Sequence, residues 1–185
     1  MPFRLLLAVL LPAAVLAQRP GEPDPEVLKE KMKALSFMDG QWRGTATTVG
    51  RGGVKTELTQ TERVGPHLDG IIRVVEGRGY DAGGETVFNA FAVISYDPGK
   101  DAYLMKSHTG GRSGEFEIVL TDDGFEWAIP AGPGKVQYRA TFTEDTWTET
   151  GEMVFPDRDP LPIFKMNLKR VGDTDWPAGD PVPTK

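Results

Sequence analysis

Cysteine is absent from this chain of 185 residues, and histidine occurs only twice, at positions 67 and 108. Without a thiol there can be no disulfide, no thiolate metal site, no cysteine nucleophile, no haem attached through CxxCH and no lipid on an N-terminal cysteine. Two histidines also fall short of the three or four ligands a zinc site needs. A basic cluster with interleaved aromatics is missing too. The formal net charge is −6, so phosphate backbones and anionic membrane surfaces are repelled and nucleic acid is not an expected partner. There is no GxSxG elbow, phosphate-binding loop, dinucleotide fingerprint or HExxH, which removes the familiar catalytic frameworks. After the first residues, no apolar run reaches membrane-spanning length, so no membrane anchor is expected.

What is present begins with MPFRLLLAVLLPAAVLA, residues 1–17. A single charge at Arg4, an apolar run over residues 5–16, and the small residues Val15 and Ala17 describe a secretory signal peptide cleaved after Ala17. The expectation is an exported protein, periplasmic or extracellular. Residues 18–25, QRPGEPDP, read as a linker. Asp24 and Pro25 make a helix start of cap and first-turn proline. Leu28, Met32 and Leu35 then give a short helix one apolar stripe.

From Gln41 the pattern changes to period two, with β-branched and aromatic runs separated by nine turn-rich breaks, among them GRGG, YDAGG, DPGKD, GGR, DDG and PAGPG. About ten short antiparallel strands follow. A meander of that length suits a barrel or a sandwich, and closure removes exposed edges, so an all-β antiparallel barrel with one N-terminal helix is expected. The barrel domain spans residues 26–172 and a tail follows over 173–185, pinned by Trp176. Parity sends Leu58, Gln60, Glu62 and Val64 inward, and likewise Phe116, Ile118 and Leu120, then Phe164, Met166, Leu168 and Arg170. The stretch TVFNAFAVISY, residues 86–96, is apolar on both parities; its outer side needs a cover, for which the early helix is a candidate, as cover or as plug.

The GxWxG of Gly40, Trp42 and Gly44, opening the first strand after a short helix, resembles the calycin superfamily of lipocalins, fatty-acid-binding proteins and haem-binding nitrobindin-like barrels. The longer run, with QTERVGPHLDG, ISYDP, GRSGEF, DGFEW, PAGPG, TWTE and MNLKRVGDTDWP, resembles a bacterial family of exported lipocalin-like domains without an assigned activity. The resemblance covers residues 35–177. It implies that Trp42 closes one end of the barrel with Arg170 laid over its ring, a cation–π contact. It also raises haem, since nitrobindin-like barrels use an axial histidine near the start of the last strand. The segment PLPIFKMNLKRV has none, though Met166 or His108 could in principle ligate iron, and no cofactor is expected.

The leading functional expectation is a small lipophilic molecule held inside the barrel. Its candidate lining is Gln60, Glu62, Phe88, Met105, Phe116, Tyr138, Trp147, Glu149 and Met166. The inward polar groups admit two further readings. Glu62 pairs with an interior arginine, Arg73 or Arg170, as a structural network; or Glu62 and Glu149 converge as an acid and a base with one strongly raised pKa, the basis of an enzyme. A barrel filled by its own aromatics, with function on rim loops, is the remaining alternative.

Overall fold

Most turn-rich breaks of the sequence become hairpins or short connections in the computed structural model, which describes residues 22–176. The break at residues 65–67 instead runs on as the end of the second strand, the turn falling at Leu68–Gly70, and most of residues 156–162 belong to the last strand. The expected signal peptide, most of the expected linker and residues 177–185 of the expected tail lie outside the described residues. A helix, α1 (Pro25–Lys33), and a 3₁₀ turn (Ser36–Met38) precede ten strands: β1 (Gly40–Val49), β2 (Lys55–His67), β3 (Ile72–Tyr80), β4 (Thr86–Asp97), β5 (Ala102–Thr109), β6 (Arg112–Thr121), β7 (Gly124–Ala131), β8 (Gly134–Phe142), β9 (Thr146–Phe155) and β10 (Arg158–Gly172). All pair antiparallel with their chain neighbours, and β1 pairs with β10 to close the barrel. A single domain results, all-β apart from its N-terminal helix.

Connections this short allow only antiparallel neighbours. At the β5–β6 hairpin, Gly110 and Gly111 both take positive φ, 54° and 75°, as a two-residue turn between twisted strands demands. GGRSG is therefore a hairpin, with Arg112 at the rim.

The two ends of the barrel differ. Asp24 caps α1, its carboxylate accepting from Glu26 N at 2.9 Å. Met32 of the helix and Leu35 just beyond it, both fully buried, lie across the end where β1 begins. Met38 and Trp42 complete this floor, with Ile94, Ile118, Phe125, Trp147 and Leu168 packed behind them. Phe37 stacks edge-on against Phe142 at 4.8 Å. The helix is thus a plug and not a cover for β4, whose outward Val87 and Phe91 remain 56% and 42% exposed.

Trp42 sits between its two glycines for a steric reason. Its indole is 1% exposed, donates to the Met38 carbonyl at 2.9 Å, and lies 5.3 Å from the Arg170 guanidinium. A methyl group on Gly40, whose φ is 150°, would meet that guanidinium, and one on Gly44 would run into the Asn167 carbonyl of β10. Close backbone approach at the seam explains both positions.

The tail is pinned on the outside. Trp176 faces His67 at 5.4 Å, lies under Arg63, and donates to the Arg63 carbonyl.

Candidate functional site

Register, not only parity, decides which inward side chains meet. Glu62 on β2 stands opposite Trp42 on β1 and Gly77 on β3, and Glu149 on β9 stands opposite Ala140 on β8 and Met166 on β10. Both carboxyls therefore lie just above the packed floor, on strands separated by β1 and β10. Room for Glu62 comes from Gly77, where a Cβ would sit 2.7 Å from a carboxyl oxygen.

Glu62 accepts a hydrogen bond from Gln60 Nε2 at 2.7 Å, and Glu149 accepts one from Trp127 Nε1 at 3.1 Å. Neither meets a cation among the described residues. Arg73, 4% exposed, is held at the floor in a two-pronged contact with Asp39 at 2.8 and 3.0 Å, and it also donates to the Met32 carbonyl. Arg170 donates to the Asp39 carbonyl at 2.7 Å and to Asp173 at 3.1 Å. The expectation that Glu62 pairs with one of these arginines is corrected here: both bind the plug, one layer below.

Burial without a counter-charge pushes the Glu62 carboxyl up to about 8; the Gln60 hydrogen bond works against the rise, and the charges of Glu149 and Glu76 add to it. Burial likewise pushes Glu149 up to about 7, opposed by the Trp127 hydrogen bond and more weakly by Trp147. Desolvation dominates in both cases. The Trp147 indole N–H faces Glu149 yet stands outside hydrogen-bonding geometry, a buried donor with no partner.

Above the carboxyls runs a chain of aromatic contacts. Phe116 lies 5.5 Å from Trp127, Trp127 stacks on Tyr138 at 4.3 Å and 11°, and Tyr138 meets Phe164 edge-on at 5.9 Å. Each of these side chains points inward, as does Met105, yet each is only half-buried. In a closed barrel, inward side chains keep accessible surface only where the interior is open to solvent. The ladder between β6 and β7 is short: the two strands pair only from Thr121↔Gly124 to Val119↔Glu126, and Phe116 and Trp127 lie beyond the last pair.

The candidate lining residues occupy three levels. Trp147 and Met166, each 3% exposed, belong to the packed lower half; Gln60, Glu62 and Glu149 form the polar layer; Met105, Phe116 and Tyr138 line the upper wall. Phe88, inward by parity, stands 39% exposed at the mouth and encloses nothing there. Trp127 and Phe164 escaped the candidate list although their alternation with Ile129 and Met166 marks them as inward. Two surface depressions lie apart from this layer: one of about 450 Å³ on the upper rim beside Phe91, His108 and Arg112, and one of about 850 Å³ at the plugged end beside Phe37, Asp123 and Arg170.

The donors considered for haem do not share a space. Met166 is packed in the core, His108 alternates outward on β5 and is exposed, and β10 carries no histidine. Neither of these two donors is placed to ligate a haem inside the barrel. Among the described residues no helix is long and apolar enough to cross a membrane.

No family model and no curated protein matches the chain. Among solved structures it is similar to the crystal structure of Rv2717c from M. tuberculosis, at 13% identity and a TM-score of 0.58, over 75% of this chain and 96% of that one. The two chains share a fold. At that identity the likeness extends to the barrel alone.

Proposed function

We propose that this protein is an exported carrier whose barrel takes a small lipophilic molecule into its upper half. One observation carries the reading: Met105, Phe116, Trp127, Tyr138 and Phe164 point inward yet keep accessible surface, beside a wall where β6 and β7 part. An apolar enclosure with a few convergent polar groups is the usual form of a small-molecule site. A ten-stranded barrel has more interior than an eight-stranded one, which already holds either side chains or one small ligand. Here the lower half is filled by the floor and the upper half is left to the ligand, with Gln60, Glu62 and Glu149 receiving its polar end. No haem or metal is part of the proposal.

Native mass spectrometry of the chain produced through its own export signal tests it, with an absorption spectrum of the same sample. A stoichiometric adduct lost on denaturation, or saturable uptake of an apolar fluorescent probe, is the expected result. Bare protein that takes up no probe would overturn the carrier reading. A Soret band would revive haem.

A second reading rests on a separate observation, two inward carboxyls, Glu149 buried and Glu62 half-buried, held near 7 and near 8. Titratable groups whose pKa values straddle neutrality suit general acid–base work. In an enzyme of that kind Glu62 is the proton donor and Glu149 the base. Turnover of an added lipophilic ester or glycoside, abolished in both Glu62→Gln and Glu149→Gln, is the outcome that would favour it over simple carriage.

A further inference from the structure

The interior polar layer is chemically one-sided. It holds two carboxyls, Glu62 and Glu149, and among the described residues none of the arginines or lysines that usually accompany buried acids; Arg73 and Arg170 are committed to Asp39, its carbonyl and Asp173 below. Buried charges are ordinarily paired. Two indole N–H groups flank Glu149. That of Trp127 is bonded at 3.1 Å, and that of Trp147, in a side chain 3% exposed, is buried with no partner. An unsatisfied buried donor carries a cost of its own. Its use becomes clear once Glu149 is ionised, because a carboxylate accepts what a carboxyl leaves unmet. The stacked Trp127–Tyr138 pair and Phe116 present π faces above this layer. Aromatic faces beside acidic oxygens are the surroundings an organic cation prefers.

We infer that the interior ligand is a lipophilic amine, its ammonium group held between Glu62 and Glu149 and its apolar tail lying along the aromatic wall. The inference rests on the carrier reading above and adds the ligand's charge to it. The missing counter-ion is the ligand's own. At neutral pH an alkylamine is already an ammonium ion, so its entry ionises a carboxyl and releases that proton to solvent. The titratable groups acting on the pair from neighbouring strands are Tyr138 on β8, beside Glu149, and Glu76 on β3, which alternates outward and pairs with Arg78 yet still adds to the rise of Glu62, while β1 and β10 contribute the neutral Trp42 and Met166. None of them supplies positive charge.

Three probes of equal chain length separate the possibilities: octylamine, octanol and octanoate, each measured by displacement of an apolar fluorescent dye from the purified chain at pH 8 and pH 5.5. Octylamine should bind about tenfold tighter than octanol at pH 8, ~1.4 kcal/mol. Its advantage should shrink at pH 5.5, where both carboxyls are protonated. Calorimetry at pH 6, below both folded-state values of about 8 and about 7, in two buffers of different ionisation enthalpy should register proton release with octylamine and none with octanol. The double variant Glu62→Gln, Glu149→Gln should lose the preference and keep octanol binding, and because the proton release is read on the unmodified chain, a variant that failed to fold would not decide the matter. Octanol or octanoate binding as tightly as octylamine, or octylamine binding without proton release, would overturn the amine assignment and leave the carrier standing. Failure of the dye and all three probes to bind would overturn both.

Discussion

Gly44 faces β10 so closely that any side chain would strike the Asn167 carbonyl, and backbone at a barrel seam has nowhere to move. Gly44→Ala should therefore cost roughly 3 kcal/mol, within the range of mutations that force a backbone shift, and lower the midpoint of a thermal melt by several degrees. The carboxyl pair predicts a pH effect with a definite sign. Each folded-state value, about 8 for Glu62 and about 7 for Glu149, lies above the ordinary 4.5. A raised carboxyl stabilises the fold fully below the unfolded value, and that contribution is lost as pH rises through the folded one. Resistance to urea should fall between about pH 5 and pH 8, by roughly a few kcal/mol in all. Glu62→Gln and Glu149→Gln should flatten the slope, and a urea series at four pH values reads this directly. Asp101 acts in the opposite sense at lower pH. Its value is lowered by the Tyr96 hydroxyl and by Lys31, so its contribution is lost as the medium becomes strongly acidic.

At the scale of elements, the plug matters most. The helix and the 3₁₀ turn are attached to the barrel by Arg73, which binds Asp39 and the Met32 carbonyl from β3, and by the burial of Met32 and Leu35. Asp39→Ala would leave the Arg73 guanidinium buried without its carboxylate. Removing one partner of such a pair costs roughly 3–5 kcal/mol. Met32→Ala, which empties a fully buried site, should cost about 2–5 kcal/mol. Both should also increase dye binding at the floor, and chemical denaturation with a dye titration distinguishes them from changes at the mouth. The helix itself was legible in residues 24–35, from the cap, the first-turn proline and the apolar spacing. Its position was not, because an apolar stripe says that a helix must dock and leaves open where. The stretch 86–96 suggested a covered outer face; the structure leaves Val87 and Phe91 in water, where single exposed apolar residues are ordinary.

Across the whole molecule the two halves should differ in stability. The lower half holds the packed cluster of the floor, while the upper half has half-buried walls and a place where β6 and β7 do not pair. Opening is easiest where buried contacts and paired backbone are fewest. Hydrogen exchange should therefore be slowest along residues 42–46 and 166–168 and fastest in the upper stretches of β6 and β7, around 112–116 and 127–131. Uniform protection around the barrel would contradict an open upper half. A bound ligand should raise protection in those same stretches.

About ten strands, their antiparallel order and the inward face of several of them were legible in the chain alone. Turn chemistry and the period of two are local properties of the chain, readable without any partner. Depth came from the fold. Glu62 and Arg170 both stand opposite Trp42, yet the glutamate bonds Gln60 inside the barrel while the arginine reaches the plug, where it serves Trp42 and Asp39. Parity assigned Phe88 and Phe116 the same direction, and register placed one at an exposed mouth and the other on the inner wall. Register depends on how every strand pairs with two neighbours and on the shear that closure imposes on all ten at once, a property of the assembled barrel that no single stretch of sequence contains.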